Sequence, residues 1–456
     1  MPRLHNARDG KPGFLSQPTR RALNLPTTRP PPHRLERPAV PVVVIQHVEE
    51  AAHLRQVRSV LVRAPHVRLL HLLRLDERLA AHLDGIAVAG EYGSGLAHRA
   101  LERPGAGEVF VACVRAIEDH DAERLDKLLA VAEATPSSEA GLISAFGWMS
   151  AAALRGIAKP LLEAIQPWRR QVALAACAMH AVDPGVALPR ALRDDDPNLR
   201  ARALSVAGRC ARRDLIDGCL RAISDNDQRC AFEAARSALL LGDRTESVTS
   251  LEALAIGRGD LGPSKLAAFL LVLKVVSAER ARAALAAVAR DPAQIRTLIR
   301  GIAAAGDPHH VPWLMAQMEN PKLARLAGEA FGFITGLDLA YLDLDRRPPN
   351  ATESGPNDDP NDENVALDED ESLPWPDVAK LRAWWKSNGA RFKPGNRYFV
   401  GAEPTPAKCL EVLKSGFQRQ RIAAAEYRTL LTPGTTLFNV AAPSWRQQRL
   451  LAGVAA

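Results

Sequence analysis

A stretch of about 30 residues recurs through the middle of the chain, and its spelling restricts the fold more than any other feature. "QPWRRQVALAACAMHAVDPGVALPRALRD" is followed by "DDDPNLRARALSVAGRCARRDLI", with Pro167 standing 30 residues before Pro197. In that register Arg170 matches Arg200, Ala173 matches Ala203 and Leu174 matches Leu204. "NDQRCAFEAARSALLLGDRTESVTSLEAL" repeats the plan, with Asp227 for Asp196 and Ala234 for Ala203. Later "DPAQIRTLIRGIAAAGDPHHVPWLMAQM" and "NPKLARLAGEAFGFITG" place Pro292 and Pro321 29 residues apart, and Arg296 answers Arg325. Such a period, with two helices per unit, is the signature of an α-solenoid. Asp196, Asp291 and Asn320 are suited to cap helix N-termini, with the following proline at the first helical position, where its missing N–H costs nothing. Alanine and glycine on the first helix let the neighbouring helix lie close, so each unit buries its apolar face only against the next.

Composition agrees with that packing. Apolar residues make up 47% of the 456 residues but aromatics only 5%. No apolar run is long enough to span a membrane. Six cysteines (Cys113, Cys177, Cys210, Cys219, Cys230, Cys409) form no CxxC pair and mostly fall in Ala-rich helical stretches, where a thiol acts as a small hydrophobe. Neither disulfides nor a bound metal is expected, and a reducing, cytoplasmic setting fits.

The net charge of +7 is unevenly placed. Residues 1–40 carry 8 Lys/Arg against 2 Asp/Glu, 41–340 carry 36 against 35, 341–377 carry 2 against 12, and 378–456 carry 13 against 3. A neutral body speaks against nucleic acid as partner, because phosphate-backbone binding needs a cationic face. Residues 1–40, rich in proline and arginine and without an apolar period, read as a disordered tail. Residues 41–150 read as an N-terminal helical region in which Glu49–Val62 is a helix and Gly85 stops the next one. Residues 151–340 form the repeats, 341–377 an acidic linker, and 378–456 a basic, Trp-containing region.

The repeats resemble the HEAT-like units first grouped with phycobilisome lyases. From roughly Val42 to Leu451 the chain is similar to a little-characterised family of bacterial HEAT-like repeat proteins, often encoded near type VI secretion components. "LDERLAAHLDGIAVAG", "ARLAGEAFGFITGLDLAYLDL", "ALDEDESLPWPD" and "SWRQQRLL" carry that resemblance. It implies a solenoid scaffold without assigned chemistry, whose partner belongs to type VI secretion.

In the acidic strip, Val365 and Leu367 alternate with polar neighbours, and "LPWPD" places Trp375 between prolines. The end of the strip is therefore expected to dock on folded protein through Trp375. Its carboxylates lack the calcium-loop spacing and central glycine. The strip's charge could complement the basic segment after it. In that segment "VAKLRAWWKSNGARF", "TPAKCLEVLKSG", "FQRQRIAAAEYRTLL" and "PSWRQQRLL" read as helices, while "NRYFVG" and "TTLFNV" read as strands able to pair.

Enzymatic motifs are weak. The pairs His47/His53 and His66/His71 stand six and five residues apart, which does not put two imidazoles on one helix face, so capping or surface roles are expected for them and for His309–His310. "GEYGSG" at 90–95 lacks a preceding strand and reads as a loop, not a phosphate cradle. No nucleophile motif is present, so no catalytic, cofactor or metal residue is assigned. A bilin-lyase-like or base-excision-like enzyme on the same array is the alternative. The mixture of Trp375, Trp384, Trp385, Arg419, Arg421, Trp445 and Arg446 suits a protein interface. The sequence thus points to an all-α solenoid of HEAT-like helical pairs, with a small mostly helical C-terminal segment carrying one or two short strands. Its expected role is a non-enzymatic scaffold binding a protein along the concave ridge of its second helices.

Overall fold

The computed structural model describes residues 39–257, 262–349 and 368–453. The expectations for the N-terminal tail, and for Val365 and Leu367, fall outside those residues. The fold is all-α: among the described residues there are twenty-two α-helices and two strands of two residues each.

The chain begins with α1 (Pro41–Leu61), α2 (Leu69–Val88), α3 (Gly90–Arg99), α4 (Ala106–Glu118), α5 (Ala122–Ala134), α6 (Pro136–Trp148) and α7 (Ala158–Leu162). The repeats supply α8 (Pro167–His180), α9 (Ala187–Ala191), α10 (Pro197–Arg209), α11 (Ile216–Ala222), α12 (Gln228–Leu241) and α13 (Glu246–Ile256). They continue with α14 (Pro263–Leu273), α15 (Ala278–Val288), α16 (Ile295–Ala305), α17 (Val311–Gln317) and α18 (Ala324–Thr335). The C-terminal region holds α19 (Val378–Asn388), α20 (Pro406–Ser415), α21 (Gln418–Leu431) and α22 (Ser444–Ala452).

Local chemistry sets the helix starts. The Asp196 carboxylate accepts from the Leu199 N–H at 2.7 Å, with Pro197 in the first turn, and Asp227 accepts from the N–H groups of Arg229 and Cys230. Asn320 differs from expectation: it accepts from the Lys322 N–H within a turn, and α18 begins only at Ala324. Two N-terminal boundaries also move. α1 starts at Pro41 rather than Glu49, and α2 runs through Gly85 to Val88. A Cβ at Gly85 would lie 2.6 Å from the His47 ring, so this glycine permits a close crossing of α1 instead of ending a helix. Residues 90–95, expected as a loop, are the first part of α3.

α1 and the even-numbered helices α4 to α18 stack in one row, with the odd-numbered helices α5 to α17 packed beside them. Small residues form the seams. Ala203, Ala207, Ala234 and Ala238 are fully buried, and a Cβ on Gly208 would lie 2.5 Å from Ser237 Oγ. The core is accordingly a succession of clusters along the row rather than one centre.

Ion pairs knit successive units. Arg170 on α8 donates to Asp194, just before α10, at 2.7 Å. Arg200 on α10 donates through Nε and Nη2 to Asp225, just before α12, at 2.9 and 3.0 Å. Each of these aspartates also accepts from the backbone N–H two residues on. On the last array helix, Arg325 donates to Asp368, which accepts from the Asp370 N–H, and Asp370 in turn receives Arg296. The end of the acidic strip therefore occupies the position of a missing next unit. Asp368, Glu369 and Asp370 pair with array arginines, while the expected complementarity with the basic region shows at the strip's start, where Asp343 pairs with Lys380 at 3.6 Å.

The ends of the row meet. Arg68, between α1 and α2, lies 2.5 Å from Asp338, just past α18. The expected strands are also relocated. β1 (Asp345–Arg346) and β2 (Trp375–Pro376) pair antiparallel at the two ends of the linker. "NRYFVG" and "TTLFNV" instead run irregularly, because the backbone of each donates to array carbonyls and not to the other.

Candidate functional site

The face of the row made by its even-numbered helices is occupied by the chain's own C-terminal region. These are the first helices of each pair, not the second helices expected to form the binding ridge. The extended segment 397–401 crosses the C-terminal ends of three of them. Arg397 donates to the carbonyls of Lys274 (2.6 Å), Val276 (2.7 Å), Leu273 (2.9 Å) and Ala305 (3.2 Å), satisfying the open ends of α14 and α16. The Tyr398 N–H donates to Gly306 O, and the Val400 N–H to Phe333 O near the end of α18. Beyond α21, the Leu437 N–H donates to Arg209 O and the Asn439 side chain to Met179 O, reaching α10 and α8. Arg446 on α22 closes the circuit on α6, donating to Met149 O at 2.8 Å and Gly147 O at 2.9 Å.

The seven residues singled out in the sequence do not form one site. Trp375 is buried in β2 under the Arg325 guanidinium, 4.7 Å from its ring centre. Trp384 and Trp385 on α19 are half-buried and pack edge-on to Phe331 of α18, with Trp385 stacked on Phe392 at 5.5 Å. These three close the end of the array. Arg421 is fully buried and has no carboxylate partner among the described residues. It donates to Leu413 O at 2.8 Å, to Gln447 Oε1 at 2.5 Å and to Gln418 Oε1, tying α20, α21 and α22 together. Burial pushes its guanidinium down to about 10, still cationic at neutral pH. Arg446, also buried and without a counter-ion among the described residues, is pushed to about 10 for the same first reason, with Arg449 and Arg58 adding to it. Trp445 differs from all these. It is 39% exposed, edge-on to Trp148 of α6 at 4.8 Å, with Arg449 and Leu450 exposed beside it.

Arg419 leads to a cavity of about 430 Å³ where α14, α16 and α18 face α21. Its walls are mostly apolar, with Phe333, Phe399 and Tyr427 among them, and charged residues such as Arg63, Arg300 and Arg419 also line it. Arg419 pairs with Glu329 at 2.7 Å, and Lys274 pairs with Glu426. Burial pushes the Glu329 carboxyl above its ordinary range, against the opposing pull of Arg419. The Tyr427 hydroxyl donates to Ala304 O at 3.0 Å and its acidity is suppressed by burial. Neither Glu329 nor Arg397 stands out in the sequence, since each acts on residues far away along the chain.

The other chemistry-bearing groups are tied to the fold. The thiols are free, and burial raises each of them, Cys177, Cys210, Cys230 and Cys409 to about 11. Among the described residues no three His, Cys, Asp or Glu side chains gather as a metal-binding group. His47 contacts His82 at 3.1 Å, not His53. His71 caps α2 by accepting from the Arg68 N–H.

No family model and no curated protein matches this chain. Among solved structures, it is similar to the crystal structure of an engineered protein at 12% identity and a TM-score of 0.29, over 67% of this chain and 91% of that one. So loose a likeness fixes neither fold nor function.

Proposed function

We propose that this protein is a non-catalytic helical-array adaptor that binds a protein partner through the outer face of α22. The observation that carries the reading is Trp445, held open to solvent on a rigid aromatic neighbour while the other six residues are used inside the fold. A large, pre-ordered aromatic with Arg449 and Leu450 at its side is the kind of anchor that concentrates interface energy. Docking there needs no displacement of the C-terminal region from the array. The resemblance of the quoted strings suggests a type VI secretion component as the partner. Affinity capture with full-length wild type and the double substitution Trp445→Ala, Arg449→Ala tests this. A specific co-purifying protein lost from the variant supports the reading, and an unchanged catch refutes it.

One observation favours the enzymatic alternative. The 430 Å³ cavity combines a buried carboxylate, Glu329, with aromatic walls. In that reading Glu329 is the acid–base group and Arg419 its modulator. Retention of every cellular function by Glu329→Gln would exclude it.

A further inference from the structure

A second cavity, of about 290 Å³, lies on the inner side of the row between α1, α6, α8, α10 and residues 439–443. Among the described residues five arginines line it (Arg55, Arg58, Arg63, Arg202 and Arg209), and no aspartate or glutamate does. The first three come from α1 and its exit, the last two from α10, so only the curl of the array brings them together.

Two of the five are already committed. Arg55 donates to Ala140 O at 2.7 Å and Ser144 Oγ at 3.1 Å. Arg58 is fixed by Asp76 at 2.6 Å and by the carbonyls of Ala441 and Ala442. Arg202 and Arg209 are different: the Nε of each is buried without a hydrogen-bond partner, and among the described residues neither forms an ion pair. Two of the nearby carboxylates are taken, and Arg202 also borders a neighbouring cavity that Glu133, Glu139 and Asp196 line. Asp76 also accepts from the Ser444 N–H, and Glu233 pairs with Arg236 at 3.3 Å. Elsewhere the same array supplies carboxylates to Arg170, Arg200, Arg212, Arg229 and Arg280. Arg209, whose guanidinium burial pushes down to about 10, lines a cavity without a described carboxylate, which opposes folding unless something anionic meets it.

The lining states what that is. Planar guanidinium forks match the paired oxygens of a phosphate, and Ser59, Ser205 and Asn439 add neutral polar groups. Trp148 and Met179 make an apolar wall opposite. The volume sits at the small end of the roughly 300–1,000 Å³ typical of ligand cavities. We propose that this cavity binds a small organic phosphate of mononucleotide size, its phosphate held by Arg202 and Arg209 and its organic part against Trp148 and Met179. The site shares Trp148 with the α22 surface, but its arginines lie on other helices, so it does not rest on the partner proposed for that surface.

Thermal-shift measurements on the full-length protein at low salt, with AMP, GMP, glucose 6-phosphate and pyridoxal 5′-phosphate, give the first test. At least one should raise Tm, and titration calorimetry with that compound should give a Kd that weakens at least tenfold in Arg202→Gln and in Arg209→Gln. Arg280→Gln, on an outer-helix ion pair, should leave the Kd unchanged. Without ligand, Arg209→Gln should melt at or above the wild-type temperature, since it removes a buried cation with no described ion-pair partner. The proposal falls if none of the four compounds shifts Tm, or if the Kd is the same in the cavity variants. It also falls if a hexaglutamate peptide binds where the phosphates do not, which would make the site one for acidic peptides. Unfolding or a lower Tm of unliganded Arg209→Gln would overturn the premise that this guanidinium lacks a partner.

Discussion

Arg446→Met probes the attachment of the C-terminal region to the array with the fewest side effects, because methionine keeps the apolar stem. Arg446 donates good hydrogen bonds to Gly147 O and Met149 O and a longer one, 3.4 Å, to Trp148 O. These carbonyls end α6, where the helix lacks internal donors and the helix dipole favours a cation. Two charge-assisted bonds are worth about 1.5–3 kcal/mol each. Part of that returns because the variant no longer buries a guanidinium without a counter-ion. The expected cost is about 3 kcal/mol, more than a hundredfold in the unfolding equilibrium. Urea denaturation followed by tryptophan fluorescence should show it as a lower midpoint. Hydrogen exchange should show faster opening at residues 147–149 and in α22. Arg449→Met, exposed on the same helix, should stay within about 0.5 kcal/mol of wild type. A loss below about 1 kcal/mol for Arg446→Met would refute the capping argument.

Other substitutions test the remaining joints. Gly208→Ala gains helix propensity of about 1 kcal/mol, but its new Cβ meets Ser237 Oγ at 2.5 Å and Ser237 Cα at 2.8 Å. It should therefore be destabilising overall in a thermal melt, by ~1–2 kcal/mol. Arg325→Ala removes both the Asp368 ion pair and the cation over Trp375, so the indole emission should shift to the red and the strip should be cut faster by protease. His180 donates from Nε2 to Phe146 O at 2.8 Å and is held neutral, chiefly by burial with Arg446 adding to it. Its folded pKa lies below the unfolded value of about 6.5, so its contribution is complete above that value and is lost as pH falls through it. His180→Gln should flatten part of the fall in Tm between pH 7.5 and 5.5.

What the sequence could show divides along the range of the interactions. Helix starts at Pro167 and Pro197, the Asp196 cap and the alanine seams depend on neighbours within a turn or one repeat, and they appear where the spelling puts them. Gly85 misleads because its neighbour, His47, lies on another helix. "NRYFVG" and "TTLFNV" have strand-like composition, yet their backbone partners are carbonyls at helix ends far away along the chain. The buried Arg421 and Arg446 read as surface groups because nothing local signals that three carbonyl or amide oxygens wait for each. The acidic strip is a mixed case. Trp375 between prolines marked a docking point, but the repeat arginines that receive Asp368 and Asp370 emerge only once the last unit is seen to lack a successor.

All of these joints depend on the C-terminal region lying inside the array, against its first helices. Zero-length carbodiimide coupling of the unmodified full-length protein, followed by peptide mapping, measures this most directly. Lys274 at the end of α14 and Glu426 on α21 form an ion pair across 152 residues, and they should be recovered as one cross-linked peptide. The pairs Lys127–Glu123 and Lys408–Glu411 report that the chemistry worked. Recovery of those two links without Lys274–Glu426 would contradict the account.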